Sequence, residues 1–176
     1  MKKIKTSDVV KCAAAAAVIC VLSPISFPIG AVPLSLSTFA VCLAAGVVGK
    51  FKGAIAAVVY IALGAVGFPV FSSFTGGFQK LVGPTGGYII GYIPLAFLAG
   101  LIIDAKKDKF FVYPIGMVCG VLVCYLTGTL WYCFSTKTDF ISALAVCVVP
   151  FLLFDAIKVA VASVVAFNVR KVTDRL

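Results

Sequence analysis

The residues best suited to chemistry are Asp155 and Lys158, which stand inside the apolar stretch 141–167. A carboxylate or an ammonium at the bilayer centre is costly, so ionisable side chains at that depth pair up and mark ligand sites, ion paths or proton relays. Three positions apart on a helix, the two share one face. Each offsets the burial cost of the other, and both can point into a polar cavity. The alternative is an ion pair that only ties helices together. Buried pairs seldom add stability over apolar packing, which favours a ligand role.

Catalysis finds little else to work with. The chain has no His, and its six acidic residues are all Asp. Asp104, Asp108, Asp139 and Asp174 lie at the ends of apolar stretches, where solvation accounts for them. No second carboxylate, His or activated Ser/Cys constellation completes a site with the pair. The seven cysteines, at 12, 20, 42, 119, 124, 133 and 147, are odd in number and form no C-x-x-C. They read as small buried hydrophobes rather than a disulfide framework. Gly83-Pro84-Thr85-Gly86-Gly87 lacks the Lys-Ser/Thr end that a phosphate loop needs. The expectation is a protein that is not an enzyme and holds no cofactor, metal or nucleotide.

The elements that must position the pair follow from composition. The 176 residues are 62% hydrophobic and 12% charged, with a mean hydropathy of +1.18. A water-soluble domain would need more polar surface, so the sequence predicts an all-α membrane protein with a single integral membrane domain over 1–176. Six apolar stretches approach the length that crosses a core of about 30 Å: 9–25, 32–48, 54–70, 88–103, 110–134 and 141–167. The second to fourth are short or interrupted, which leaves re-entrant or irregular segments open there.

The net charge of +9 is distributed as membrane topology, not as a nucleic-acid patch. Lys2, Lys3, Lys5 and Lys11, then Lys50 and Lys52, then Lys106, Lys107 and Lys109, then Arg170, Lys171 and Arg175 fall on alternate connections and at both ends. The other side has only Lys80 and Lys137. The positive-inside rule places both termini in the cytoplasm. The N-terminal lysines and following apolar run look like a signal peptide, but the charge balance works with the segment retained. Trp131 and Tyr132 fall at the outer end of the fifth span, where an aromatic belt anchors to the interface.

The third connection, 64–91, holds half of the 16 glycines. It also carries Phe68, Phe71, Phe74 and Phe78, which want burial. This combination predicts a structured outer loop folded back over the bundle, since irregular backbone at membrane depth survives only when buried in protein or lining a cavity. Glycine allows close backbone approach to a ligand; a compact turn without a ligand role is the alternative. In the first span Ala13 and Ala17, four residues apart, form a small-residue ridge for a neighbouring helix, within the bundle or on a partner.

These residues together resemble the BioY family, the biotin-specific S components of energy-coupling factor (ECF) transporters, over nearly the whole chain. Gly76-Gly77, Gly83-Pro84-Thr85-Gly86-Gly87-Tyr88 and Gly91-Tyr92 look like the family's loop signature. Gly64-Ala65-Val66-Gly67-Phe68-Pro69-Val70-Phe71 is similar to its G-x-x-G-x-P-V-F stretch. Val32-Pro33-Leu34-Ser35-Leu36-Ser37-Thr38-Phe39-Ala40-Val41 is similar to its second span, with Ser37 where members often carry Gln. Phe154-Asp155-Ala156-Ile157-Lys158 matches the D-x-x-K of its last helix. The resemblance implies a six-helix S-component-like bundle in the bacterial plasma membrane that captures biotin from outside. It implies partners as well: a transmembrane coupling subunit, docked through Ala13 and Ala17, and two cytoplasmic ATPases. An S component for another vitamin, or a biotin transporter that works without the energising module, are the alternatives.

Biotin offers a ureido ring with two N–H donors and one carbonyl, an apolar bicycle and a valerate tail. Asp155 is expected to accept from a ureido N–H, and Lys158 to donate to the ureido oxygen or the carboxylate. Phe74, Phe78 and Tyr88 are expected to pack the bicycle, with Thr75, Gln79 and Thr85 as polar loop contacts.

Overall fold

The structure, a computed structural model, describes residues 6–27 and 33–173. Val32 and the charged residues Lys2, Lys3, Lys5, Asp174 and Arg175 lie outside the described residues. Among the described residues the fold is helical apart from one pair of two-residue strands and an isolated bridge between Phe71 and Thr75. In chain order it runs α1 (Thr6–Leu22), β1 (Ser26–Phe27), β2 (Leu34–Ser35), α2 (Ser37–Val48), α3 (Lys50–Val66), a 3-10 turn at Ser72–Phe74, α4 (Phe78–Val82), α5 (Gly86–Ala105), α6 (Val112–Thr136), α7 (Phe140–Cys147), a second 3-10 turn at Val149–Phe151, and α8 (Leu152–Thr173). β1 and β2 pair antiparallel, with Ser26 opposite Ser35.

Among the described residues, three helices are long and apolar enough to cross a membrane: Gly86–Ala105, Val112–Thr136 and Phe140–Thr173, the last running on through the turn at Val149–Phe151. α1 and α3 have 17 residues each, a rise of about 26 Å; α2 has 12. The helices depart from the expected stretches where glycine and proline intervene. The stretch expected at 54–70 ends at Val66, because Gly67 adopts φ +115 and donates its N–H to the Gly64 carbonyl at 3.1 Å, a left-handed cap that glycine adopts without strain. The stretch expected at 141–167 is divided by the turn containing Pro150, which lacks the N–H an α-helix needs there. The stretch expected at 88–103, one of those read as short or interrupted, is continuous helix within α5, with Pro94 inside it.

Small residues set the helix spacing. A Cβ on Gly87 would lie 2.1 Å from the Trp131 Cβ and 3.0 Å from the Thr127 carbonyl oxygen; one on Gly128 would lie 2.2 Å from the Tyr88 ring; one on Gly120 would lie 2.8 Å from the Leu95 carbonyl oxygen. α5 and α6 therefore pack backbone to backbone, as glycine faces allow between membrane helices. α1 buries Ala15, Ala16 and Ile19 and leaves Ala13 and Ala17 exposed, so the Ala13–Ala17 ridge does not serve contacts within the bundle.

Away from the loop end, Asp104 is not merely solvated as its position suggests. Its carboxylate accepts from the Arg170 guanidinium at 2.6 Å and from the Lys50 backbone N–H at 3.1 Å, while Arg170 also donates to the Gly46 carbonyl at 3.1 Å. This clasp joins α2, α3, α5 and α8. Asp139 likewise has a partner: it caps α7 by accepting from the Ile141 N–H at 3.1 Å.

The glycine-rich connection is structured, but its aromatic residues do not behave alike. Phe71 is 2% exposed. Its ring fills the notch at Gly64, where a Cβ would sit 2.2 Å away, and meets the Tyr60 ring edge-on at 5.5 Å. Phe68, Phe74 and Phe78 are exposed instead. The single glycine notch admits one ring, and the left-handed φ of Ser73 (60°) and Phe74 (55°) turns the chain back just after it. Ser73 anchors that reversal: its N–H lies 3.0 Å from the Pro24 carbonyl and 2.8 Å from the Ser26 hydroxyl oxygen.

A Gly87→Ala substitution is expected to destabilise the fold by about 1–3 kcal/mol through overpacking. Thermal unfolding in detergent should show a clear drop in midpoint, and an unchanged midpoint would contradict the backbone-to-backbone packing of α5 on α6.

Candidate functional site

The division between α7 and α8 decides where the charged pair sits. Because α8 begins at Leu152, Asp155 lies in its first turn, where the positive end of the helix dipole favours a carboxylate. Lys158 follows one turn later on the same face, and its ammonium is 2.9 Å from Asp155 Oδ1. Both side chains are nearly buried, at 8% and 12% exposure for Asp155 and Lys158.

Three other segments converge on this pair. The Thr38 hydroxyl, from the first turn of α2, donates to Asp155 Oδ1 at 3.0 Å. The Tyr125 hydroxyl, from the middle of α6, donates to Asp155 Oδ2. The Lys158 ammonium donates to the Ser35 carbonyl of β2 at 2.6 Å and reaches Thr38 Oγ1 at 3.4 Å. A buried charge is tolerable when it is both paired and hydrogen-bonded, and these contacts satisfy both conditions.

Two neighbouring cavities share walls above the pair. The smaller, about 50 Å³, has Asp155 and Lys158 in its lining together with Thr38, Tyr125 and Cys147. The larger, about 310 Å³, is lined by Phe71, Thr75, Lys80, Thr85 and the Gly83-Pro84 backbone of the glycine-rich connection. Pro33, Ser35, Tyr88 and Tyr92 face both. Tyr88 and Tyr92 are one turn apart on α5, so their rings form a continuous wall; the Tyr88 hydroxyl is fixed against Thr129 at 3.1 Å.

The roof of the larger cavity is tied down at several points, among them the Ser73 N–H on the Pro24 carbonyl and the Gly77 N–H on the Gly64 carbonyl at 2.7 Å. The Ser26 and Ser73 hydroxyls are 2.9 Å apart, joining β1 to the 3-10 turn. Trp131 donates its indole N–H to the Gly83 carbonyl at 3.0 Å. Its role thus extends beyond the interfacial anchor that its position suggests, because it ties the end of α6 to the loop.

The residues singled out from the sequence separate into two groups. Asp155, Lys158 and Tyr88 line the smaller cavity, and Tyr88, Thr75 and Thr85 the larger. Phe74, Phe78 and Gln79 line neither and are exposed. The aromatic residues that line the larger cavity are Phe71, Tyr88 and Tyr92, while the reversal at Ser73 and Phe74 leaves Phe74 and Phe78 exposed. Sequence reasoning missed Ser35, Thr38, Tyr92, Tyr125 and Lys80. Tyr92 had a usable signal in its one-turn spacing from Tyr88, and Thr38 in the polar run before an apolar helix. Tyr125 had none beyond being a hydroxyl in an apolar stretch.

A charged pair buried in a helical membrane bundle, beneath a cavity roofed by a structured loop, defines a small-molecule-binding membrane protein. Comparison with known proteins narrows the class. The sequence matches the BioY family over residues 1–175. It is 44% identical over 147 residues to a biotin transporter BioY of Thermotoga maritima, covering 84% of this chain and 86% of that one. It is 36% identical over 158 residues to the biotin transporter BioY2 of Lactococcus lactis, covering 90% and 87%. The fold superposes on the crystal structure of the S-component for biotin from an ECF-type ABC transporter with a TM-score of 0.88 and 27% identity, covering 97% of this chain and 94% of that one. The chain belongs to the BioY family.

The pair should be energetically coupled. Lys158→Met leaves Asp155 buried without its counter-charge, a change that costs about 3–5 kcal/mol when one partner of a buried pair is removed. The double variant Asp155→Asn, Lys158→Met is expected to recover much of that loss. Thermal unfolding of the two single variants and the double variant measures the coupling, and strict additivity would show that the charges are not coupled.

Proposed function

We propose that the protein captures biotin and serves as the substrate-binding subunit of an ECF-type uptake system. The observation that carries this reading is the Asp155–Lys158 pair in the lining of a cavity in a chain of the BioY family. The ureido edge of biotin enters the smaller cavity, where one N–H donates to Asp155 and the carbonyl accepts from Lys158. Bonds to charged groups contribute about 1.5–3 kcal/mol each, and exclusion of water by the loop strengthens them. The bicycle lies between Tyr88, Tyr92 and Phe71. The valerate tail extends through the larger cavity toward Thr75, Thr85 and Lys80, the basic side chain in that lining. A cavity of about 310 Å³ lies at the lower end of the range for small-ligand sites, about 300–1,000 Å³.

In this reading α1, α2, α3, α5, α6 and the α7–α8 unit are six spans of a single membrane domain. Both termini face the cytoplasm, and the glycine-rich loop faces outward in the plasma membrane of a bacterium. The charge distribution supports this orientation: Lys11, Lys50, Lys52, Lys106, Lys107, Lys109, Arg170 and Lys171 gather at one end, while Lys80 and Lys137 lie at the other. Import is driven by a transmembrane coupling subunit and two cytoplasmic ATPases; this chain itself is neither an enzyme nor a nucleotide-binding protein. Ala13 and Ala17 form the docking ridge for the coupling subunit. Their exposure supports that role. So does an adjacent apolar groove of about 400 Å³, lined by Ala14 and Val18 of α1, Leu43 and Val47 of α2, and Val165 and Val169 of α8.

Asp155→Asn and Lys158→Met should each weaken biotin binding at least about tenfold, the loss of one charged hydrogen bond. Calorimetric titration of the purified variants checks this, and wild-type affinity in either would remove that residue from the site. Ala13→Trp and Ala17→Trp should leave biotin binding intact but reduce recovery of the coupling subunit on co-purification. Normal recovery would place the docking surface elsewhere.

A further inference from the structure

We infer that Tyr125 is the positioning residue for ligand recognition: its hydroxyl holds the Asp155 carboxylate so that one acceptor site on Oδ2 faces the cavity. The inference rests on the proposal that Asp155 reads a ureido N–H, and it adds a determinant that acts through Asp155.

Donor and acceptor accounting leads to it. An ionised carboxylate offers about four lone-pair sites, two on each oxygen. On Oδ1 both are taken, by Lys158 at 2.9 Å and Thr38 at 3.0 Å. On Oδ2 the Tyr125 hydroxyl takes one. The remaining acceptor capacity is on Oδ2, and its direction is set by the bond Tyr125 makes. An ammonium has three donors, and those of Lys158 are directed at Ser35, Asp155 and Thr38, the last being the longest contact at 3.4 Å. A ligand carbonyl can replace that weakest contact. Carbonyl and N–H of a cyclic urea then meet Lys158 and Asp155 side by side, an arrangement that holds only if the carboxylate does not swivel.

Tyr125 is placed to prevent that swivel. It is buried in α6, an element that supplies neither charge of the pair. It also stands with Asp155 between the smaller cavity and an apolar cleft of about 140 Å³ between α6 and α8, lined by Val118, Leu122, Leu152 and Val159; Tyr125 and Asp155 are the residues common to both linings. Freed from Tyr125, the carboxylate could rotate toward that cleft and away from the ligand. The ring is thus both the stop behind Asp155 and the partition between the two spaces.

The test compares discrimination at the two ends of biotin. Purified protein is titrated with biotin, with biotin dimethylated on its ureido nitrogens, and with biotin methyl ester. In the parent protein, blocking the ureido N–H groups should cost at least about tenfold in affinity, the value of one charged hydrogen bond. In Tyr125→Phe that ratio should shrink by about fivefold or more, while the biotin-to-ester ratio stays within about twofold. A general loosening of the fold would erode both ratios together. Tyr125→Met, which fills the space with a flexible apolar side chain, should give the same split if the Phe variant does not purify as a single species. Retention of the full ureido discrimination in these variants, with its loss in Asp155→Asn, would overturn the role of Tyr125 alone. Retention in Asp155→Asn as well would overturn the ureido reading of the charged pair, and this inference with it.

Discussion

Two opposite charges, taken out of water on one turn of one helix, set the terms for the rest of the molecule. Neither Asp155 nor Lys158 is tolerable alone at that depth, and pairing by itself leaves lone pairs and protons unsatisfied. The remaining partners come from elements distant in sequence: the β2 carbonyl of Ser35, the α2 hydroxyl of Thr38 and the α6 hydroxyl of Tyr125. The polar cluster therefore pins α2, α6 and α8 to each other. The Pro150 turn serves the same pair, since restarting the helix at Leu152 brings the carboxylate into a first turn, where the helix dipole favours it.

The two ends of the bundle are built differently. At one end Asp104 and Arg170 clasp four helices, with the Gly46 carbonyl and the Lys50 N–H as further partners. At the other, no charged clasp is used among the described residues: the cavity roof is joined to its surroundings by the serine pair Ser26 and Ser73, by backbone bonds from Ser73 to Pro24 and from Gly77 to Gly64, and by the Trp131 indole. α8 connects the two, with Arg170 about 22 Å along the helix from Asp155. The exposed Ser26–Ser73 hydroxyl bond can be exchanged with water at little cost, whereas the partly buried charged clasp cannot.

Much of the fold class was legible before any coordinates. Helical membrane character follows from composition, because a chain this apolar has few ways to satisfy its backbone outside water. Asp155 and Lys158 stood out for the same reason, being charges where charges are expensive. What misled was the loop. All four of its phenylalanines looked like core, but burial depends on a receiving notch, and Gly64 provides one for Phe71 alone. Asp104 and Asp139 looked merely solvated because their partners, Arg170 and the Ile141 N–H, are set by helix packing and local capping, which periodicity does not show.

Composition, the spacing of two charges and the glycine signature were enough to indicate a membrane-embedded binding protein of the BioY family. Those features are local, and a resemblance or a one-turn spacing needs no knowledge of what lies across the bundle. Tertiary structure decided who attends the charges. Ser35 and Thr38 stand in a family-like stretch and Tyr125 in a plain apolar one, but nothing local says that their polar atoms meet one carboxylate and one ammonium; that follows only from how the helices pack.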